Sequence, residues 1–143
     1  MFPALKLRAG CVIPLLFGIL ILAGCGQKTI YPVSGQIVDP DGNPITSIKG
    51  SAIEFECVEF KSSANGSVDE NGKFRLTTQT AGDGAHVGKH RVAITRRYVG
   101  PENPVAHVIH PKYEKYETSG LEITVEPKSN VLRIPVQWHK SKK

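Results

Sequence analysis

The sequence predicts an all-β fold, an antiparallel β-sandwich of about seven short strands. Three observations point to it. Apolar residues recur with a period of two over short runs, Gly, Pro, Asn and Asp cluster between those runs, and no stretch sustains a 3.6-residue apolar period. Successive side chains of a strand point to opposite faces, so a period of two gives one face to a core and the other to water.

The first run has Val33, Gly35 and Ile37 alternating with Ser34, Gln36 and Val38. DPDGNP at 39–44 is dense turn chemistry, because proline presets φ and aspartate bonds to backbone amides just ahead of it. Ile53, Phe55 and Cys57 alternate with Glu54, Glu56 and Val58, one buried face and one mostly wet. KSSANG at 61–66 breaks that strand. DENG at 69–72 signals a tight hairpin into KFRLT at 73–77, with Phe74 and Leu76 inward. A Gly-rich loop over 82–88 precedes HRVAIT at 90–95, where Val92 and Ile94 share a face. Leu121, Ile123 and Val125 then alternate with Glu122, Thr124 and Glu126. After a turn at 127–130, Leu132, Ile134, Val136 and Trp138 line one side of the last strand.

Residues 97–120 form the longest stretch without a strand pattern. Pro101, Pro104 and Pro111 stiffen it, and Val99, Val105, Val108, Ile109 and two tyrosines are too apolar for a solvated linker. The expectation is an ordered crossover over one end of the sandwich, with Tyr113 and Tyr116 part packed and part exposed. If the domain has a recognition loop, it is here, with Tyr98, His107, His110, Tyr113 and Tyr116 as its candidates.

The N-terminus has the layout of an export signal. Lys6 and Arg8 precede a twelve-residue apolar stretch, VIPLLFGILILA at 12–23, and small residues Ala23 and Gly24 precede Cys25. Leu22-Ala23-Gly24-Cys25 resembles the lipobox of bacterial lipoproteins, which implies cleavage before Cys25 and acylation of its thiol. The alternative is an uncleaved membrane helix: residues 9–27 carry no charge, which only just reaches bilayer-spanning length, and Pro14, Gly18 and Gly24 make it a mediocre helix. Either way Lys6 and Arg8 stay in the cytoplasm, and residues 28–143 lie outside the inner membrane. The division is then a signal peptide at 1–24, a lipidated tether at 25–30, a β-sandwich domain at 31–138 and a basic tail at 139–143.

Loss of the signal removes Cys11, acylation uses Cys25, and Cys57 remains as the one free thiol, so no disulfide forms within the mature chain. It also leaves 16 basic residues against 13 acidic ones. So mild an excess does not argue for a nucleic-acid partner, which the compartment also disfavours.

YPVSGQIVDPDGNPI, SVDENGKFRLTT, AGDGAHVGKHRVAI and HPKYEKYETSGLEITV, in that order, resemble small lipoproteins of planctomycete bacteria. Those carry a domain similar to carboxypeptidase regulatory-like and transthyretin-like sandwiches. The resemblance spans Tyr31 to Trp138 and implies a prealbumin-like, seven-stranded sandwich behind a lipidated cysteine. It implies little about activity.

The search for chemistry is mostly negative. Asp39-x-Asp41-x-Asn43 opens like a calcium loop, but Pro44 and Gly50 stand where such a loop needs glycine and glutamate. The glycines at 82–88 precede a strand, whereas a phosphate-binding loop opens a helix. His107 and His110 lack an acidic or cysteine partner, so they read as exposed or capping residues. Cys57 falls on an apolar strand face, where a thiol is an inert small hydrophobe. Asn65-Gly66-Ser67 matches a glycosylation sequon by chance in a bacterial chain. The fold's one hydrolase resemblance, to 5-hydroxyisourate hydrolase, fails because WHKSKK stands where that enzyme carries a signature similar to Tyr-Arg-Gly-Ser. No catalysis, cofactor or metal is expected. The expected function is a membrane-anchored structural or interaction module of the cell envelope, in the outer membrane in preference to the inner, since Gly26 and not aspartate follows Cys25. Its partners are membrane lipid through acylated Cys25 and an envelope protein or polysaccharide. The alternative is a carbohydrate or wall-polymer binder.

Overall fold

The computed structural model describes residues 29–96 and 109–137. It contains nine strands among these residues: β1 (Ile30–Tyr31), β2 (Val33–Val38), β3 (Ala52–Cys57), β4 (Ser62–Ser67), β5 (Lys73–Arg75), β6 (Ala85–His86), β7 (Gly88–Thr95), β8 (Leu121–Val125) and β9 (Asn130–Pro135). A 3-10 helix (Pro111–Glu114) and the one-turn helix α1 (Tyr116–Ser119) stand between β7 and β8. The strands form a three-stranded sheet, β5-β2-β9, a four-stranded sheet, β4-β3-β7-β8, and a separate short ladder, β1-β6.

The alternation read from the sequence sets the core. Ile37, Phe74 and Ile134 of one sheet and Ile53, Phe55, Val92, Ile94 and Val125 of the other belong to a single buried cluster. The Phe55 and Phe74 rings meet between the sheets with centroids 6.2 Å apart. Two sheets closing over one apolar layer is an all-β, sandwich-like arrangement.

Both predicted turns form, by the same local chemistry. Asp39 Oδ1 accepts from the amides of Asp41 (3.0 Å) and Asn43 (2.8 Å), and Asp69 Oδ1 accepts from those of Asn71 and Lys73 (both 2.8 Å). Gly42 and Gly72 take φ of 88° and 72° at the matching position, where a side chain would be strained.

Three features depart from expectation. KSSANG does not end the strand region: only residues 58–61 turn, with Lys61 at φ 48°, and β4 then pairs antiparallel with β3 from Cys57↔Ser62 to Ala52↔Ser67. Its small polar residues have little β-propensity, but the neighbouring strand supplies a full ladder of backbone partners, and context overrides propensity. The DENG turn closes as expected, yet the strands it joins diverge: β4 pairs with β3 and β5 with β2, leaving one bridge, Asn65↔Thr77, between the sheets. Finally, the fold is not purely antiparallel. β2 and β9 run parallel from Val33↔Asn130 to Val38↔Pro135, because the last strand returns to the end where the first began.

Candidate functional site

The described part of the expected recognition loop is held down. His110 is exposed, and its Nδ1 accepts the Lys112 amide at 3.1 Å, capping the 3-10 helix. Tyr113 is buried, and its hydroxyl accepts the Gln137 amide at 3.0 Å. The expectation of a part-exposed Tyr113 is therefore corrected: with Ile109 and Val136 it completes the core cluster. Glu114 is ion-paired with Arg96. Tyr98 and His107 lie outside the described residues, as does Cys25.

Tyr116 behaves as expected, half-buried over the outer face of the four-stranded sheet. Its hydroxyl donates to Glu54 at 3.0 Å, and the Arg91 guanidinium sits 5.9 Å from its ring centroid. Arg91 also donates to Glu56 at 2.5 Å. Burial, then the bond to Glu54 and the charges of Glu54 and Glu56, push the phenol up to about 12, so it is a donor at neutral pH. Beside this cluster a shallow depression of about 390 Å³ is lined by Glu56, Cys57, Lys61, Ser63 and Arg91. Cys57 itself is fully buried, its sulfur 3.9 Å from the Val87 carbonyl oxygen.

Across the molecule, the outer face of the three-stranded sheet carries a different surface. Register places Arg75, Ser34 and Val131 in one row and Lys73, Gln36 and Arg133 in the next. Ser34, Gln36, Lys73, Val131 and Arg133 border a groove of about 370 Å³, and Arg75 stands in the row beside Ser34. Arg133 donates to the Gly42 carbonyl at 2.6 Å, and none of the three cations is ion-paired among the described residues. Sequence reasoning missed this surface. The signal was present in the polar alternates of strands whose inward residues were assigned, Lys73 and Arg75 around Phe74 and Arg133 between Leu132 and Ile134, but only topology sets β5 and β9 on either side of β2.

The imidazoles are structural where they are described. His90 is buried with Nε2 2.8 Å from the His86 carbonyl, and burial holds its pKa below the usual value. Among the described residues, no three His, Cys, Asp or Glu come together in a way that could hold a metal, and no helix is long and apolar enough to cross a membrane. The glycines of 82–88 take φ of 73°, 105° and 113°, the conformations of a tight loop.

No family model matches the chain, and no curated protein does. Among solved structures it is similar to the Bacillus anthracis TIE protein, at 13% identity and a TM-score of 0.46, over 78% of this chain and 17% of that one. A likeness so loose carries no argument about fold or function.

Proposed function

We propose that the chain is a lipid-anchored envelope lipoprotein whose β domain acts as a structural or interaction module and not as a catalyst. The observation that carries this reading is the lipobox at 22–25, which stands five residues before Ile30, where strand pairing begins. The acylated cysteine would hold the domain outside the inner membrane, with the outer membrane favoured by Gly26. Setting aside the two-residue strands β1 and β6, the three- and four-stranded sheets hold seven strands, which supports the proposal of a prealbumin-like sandwich like that of the planctomycete lipoproteins the sequence resembles. Metabolic labelling with a palmitate analogue tests the anchor: the wild type should be tagged and Cys25→Ser should not. Equal labelling of the two would end the reading.

A second reading, binding of an envelope polysaccharide, is favoured by the groove lined by Lys73 and Arg133, with Arg75 in the adjacent row. It shifts the expected site. With Tyr113 buried, the crossover offers less of an aromatic platform for sugar rings, while cations without a carboxylate partner among the described residues suit an anionic polymer.

A further inference from the structure

Among the described residues three large hydrophobic side chains are left exposed: Val58 (59%), Phe60 (41%) and Val131 (80%). Scattered singly they would need no explanation. They are not scattered. All three lie at the end of the fold where the chain enters it.

Backbone pairing fixes that placement. Ile30 pairs with His86, and the Val87 amide donates to the Thr29 carbonyl at 2.8 Å. Phe60, on the turn between β3 and β4, stacks on the His86 ring at 4.7 Å with 15° between planes. The Asn130 amide donates to the Pro32 carbonyl at 2.8 Å, which brings the start of β9, and with it Val131, to the same end. The turn also carries Glu59 and Lys61, and Lys89, Glu126 and Lys128 stand at the neighbouring strand ends. The aspartate turns at 39–43 and 69–72 lie at the far end, since β2 runs away from the entry and β5 starts opposite Gln36.

We propose that this entry end is a membrane-contacting surface, with Val58 and Phe60 entering the headgroup boundary of the bilayer that holds acylated Cys25. The proposal rests on the lipid-anchor reading above. Four residues separate Cys25 from Ile30, five residue steps in all, so even fully extended the tether spans about 18 Å. The entry end cannot leave the membrane surface. Within that reach a weak contact becomes an intramolecular one at roughly millimolar effective concentration, so two apolar side chains suffice to populate it. Phe60, braced by His86, presents a ring already in place. Lys61 and Lys89 can lay their stems along the interface and give their ammonium groups to lipid phosphates, whereas Lys128 is ion-paired with Glu126. The tether alone holds the domain near the membrane; this contact would orient it, with the aspartate turns pointing away.

The test uses the full-length lipidated protein in vesicles of phosphatidylethanolamine and phosphatidylglycerol brominated on their acyl chains. Trp138 is the single tryptophan, so Trp138→Phe gives a silent background. Into it go Phe60→Trp or Val58→Trp at the entry end, and Pro40→Trp at the far end. Emission from the two entry-end probes should fall about two-fold relative to unbrominated vesicles, as for a ring at the headgroup–acyl boundary, and the Pro40→Trp signal should not change. Equal quenching at both ends, or none at either entry-end probe, overturns the proposal. Palmitate labelling of the same preparation separates the failures. A labelled protein with unquenched probes removes this inference and leaves the anchor, whereas an unlabelled protein removes both.

Discussion

Asp83 gathers three amide groups on one carboxylate: Thr78 on Oδ1 at 2.7 Å, and Gln79 and Thr80 on Oδ2 at 3.0 and 2.9 Å. Partial burial pushes its pKa up, but these bonds outweigh it and hold the carboxyl below its ordinary 3.8. Asp39 is lowered too, chiefly by the Asn43 amide. His90 is lowered from 6.5 mainly by burial, against the opposing bond to the His86 carbonyl. All three folded-state values are depressed, so each contribution is complete above the unfolded pKa and is lost as pH falls through the folded one. His90 therefore weakens the fold below about pH 6.5, where the unfolded chain takes up a proton that the folded chain refuses, and the aspartates act below about pH 3.8. Urea unfolding across pH should show His90→Gln flattening the first decline and Asp83→Asn part of the second. A decline unchanged in both variants would reject the assignment. The Asp39 turn was legible in the sequence because a side chain bonding two and four residues ahead needs no tertiary information, whereas Asp83 bonds three to five residues back. The burial of His90 was not, since it depends on Phe55 and Cys57 arriving from another strand.

At the scale of elements, hydrophobic alternation was read correctly wherever the apolar residues were large. β3, β5 and β7 bury the residues expected of them, while on the last strand Ile134 and Val136 are buried, Leu132 is half-buried and Trp138 lies outside the described residues. β4 was illegible because Ser, Ala, Asn and Gly carry no apolar period, and its ladder is supplied by β3. Of the crossover, residues 97–108 lie outside the described residues; 109–120 pack as expected but not in detail: what buries Tyr113 is its place against Ile109 and Val136, and its bond to Gln137 joins residues 24 apart. Two kinds of substitution separate the effects. Phe55→Ala or Phe74→Ala opens the layer between the sheets and should cost about 3–5 kcal/mol, a large share of a typical domain's stability of about 5–15 kcal/mol. Tyr113→Phe keeps the ring and loses only the acceptor for one amide, so it should cost about 1 kcal/mol. Chemical denaturation reads both. Comparable losses for Tyr113→Phe and Phe55→Ala would show that the hydroxyl, and not the packed ring, holds the crossover.

For the whole molecule, the decisive feature is the one no local pattern announces, the parallel closure of β9 on β2. It completes the three-stranded sheet and sets Arg133 opposite Lys73, and Val131 opposite Arg75, across β2. The two outer faces consequently differ in character: Arg91 on the four-stranded sheet is neutralised by Glu56, while the cations of the three-stranded sheet have no carboxylate partner among the described residues. If that groove takes an anionic polysaccharide, the interaction is between exposed charges and must weaken as salt shortens the screening length from about 10 Å at 0.1 M to about 3 Å at 1 M. Lys73→Glu combined with Arg133→Glu reverses the local sign without touching the core, since Lys73 and Arg133 are both exposed. Titrated with a fluorescent carboxylated polysaccharide, the double variant should bind at least about tenfold more weakly, a difference of about 1.4 kcal/mol, with an unchanged melting temperature. The wild type should lose affinity at high salt and should not bind a neutral glucan of the same length. Binding that ignores salt, or that accepts the neutral glucan equally well, would remove the groove from consideration and leave only the proposal of a structural module.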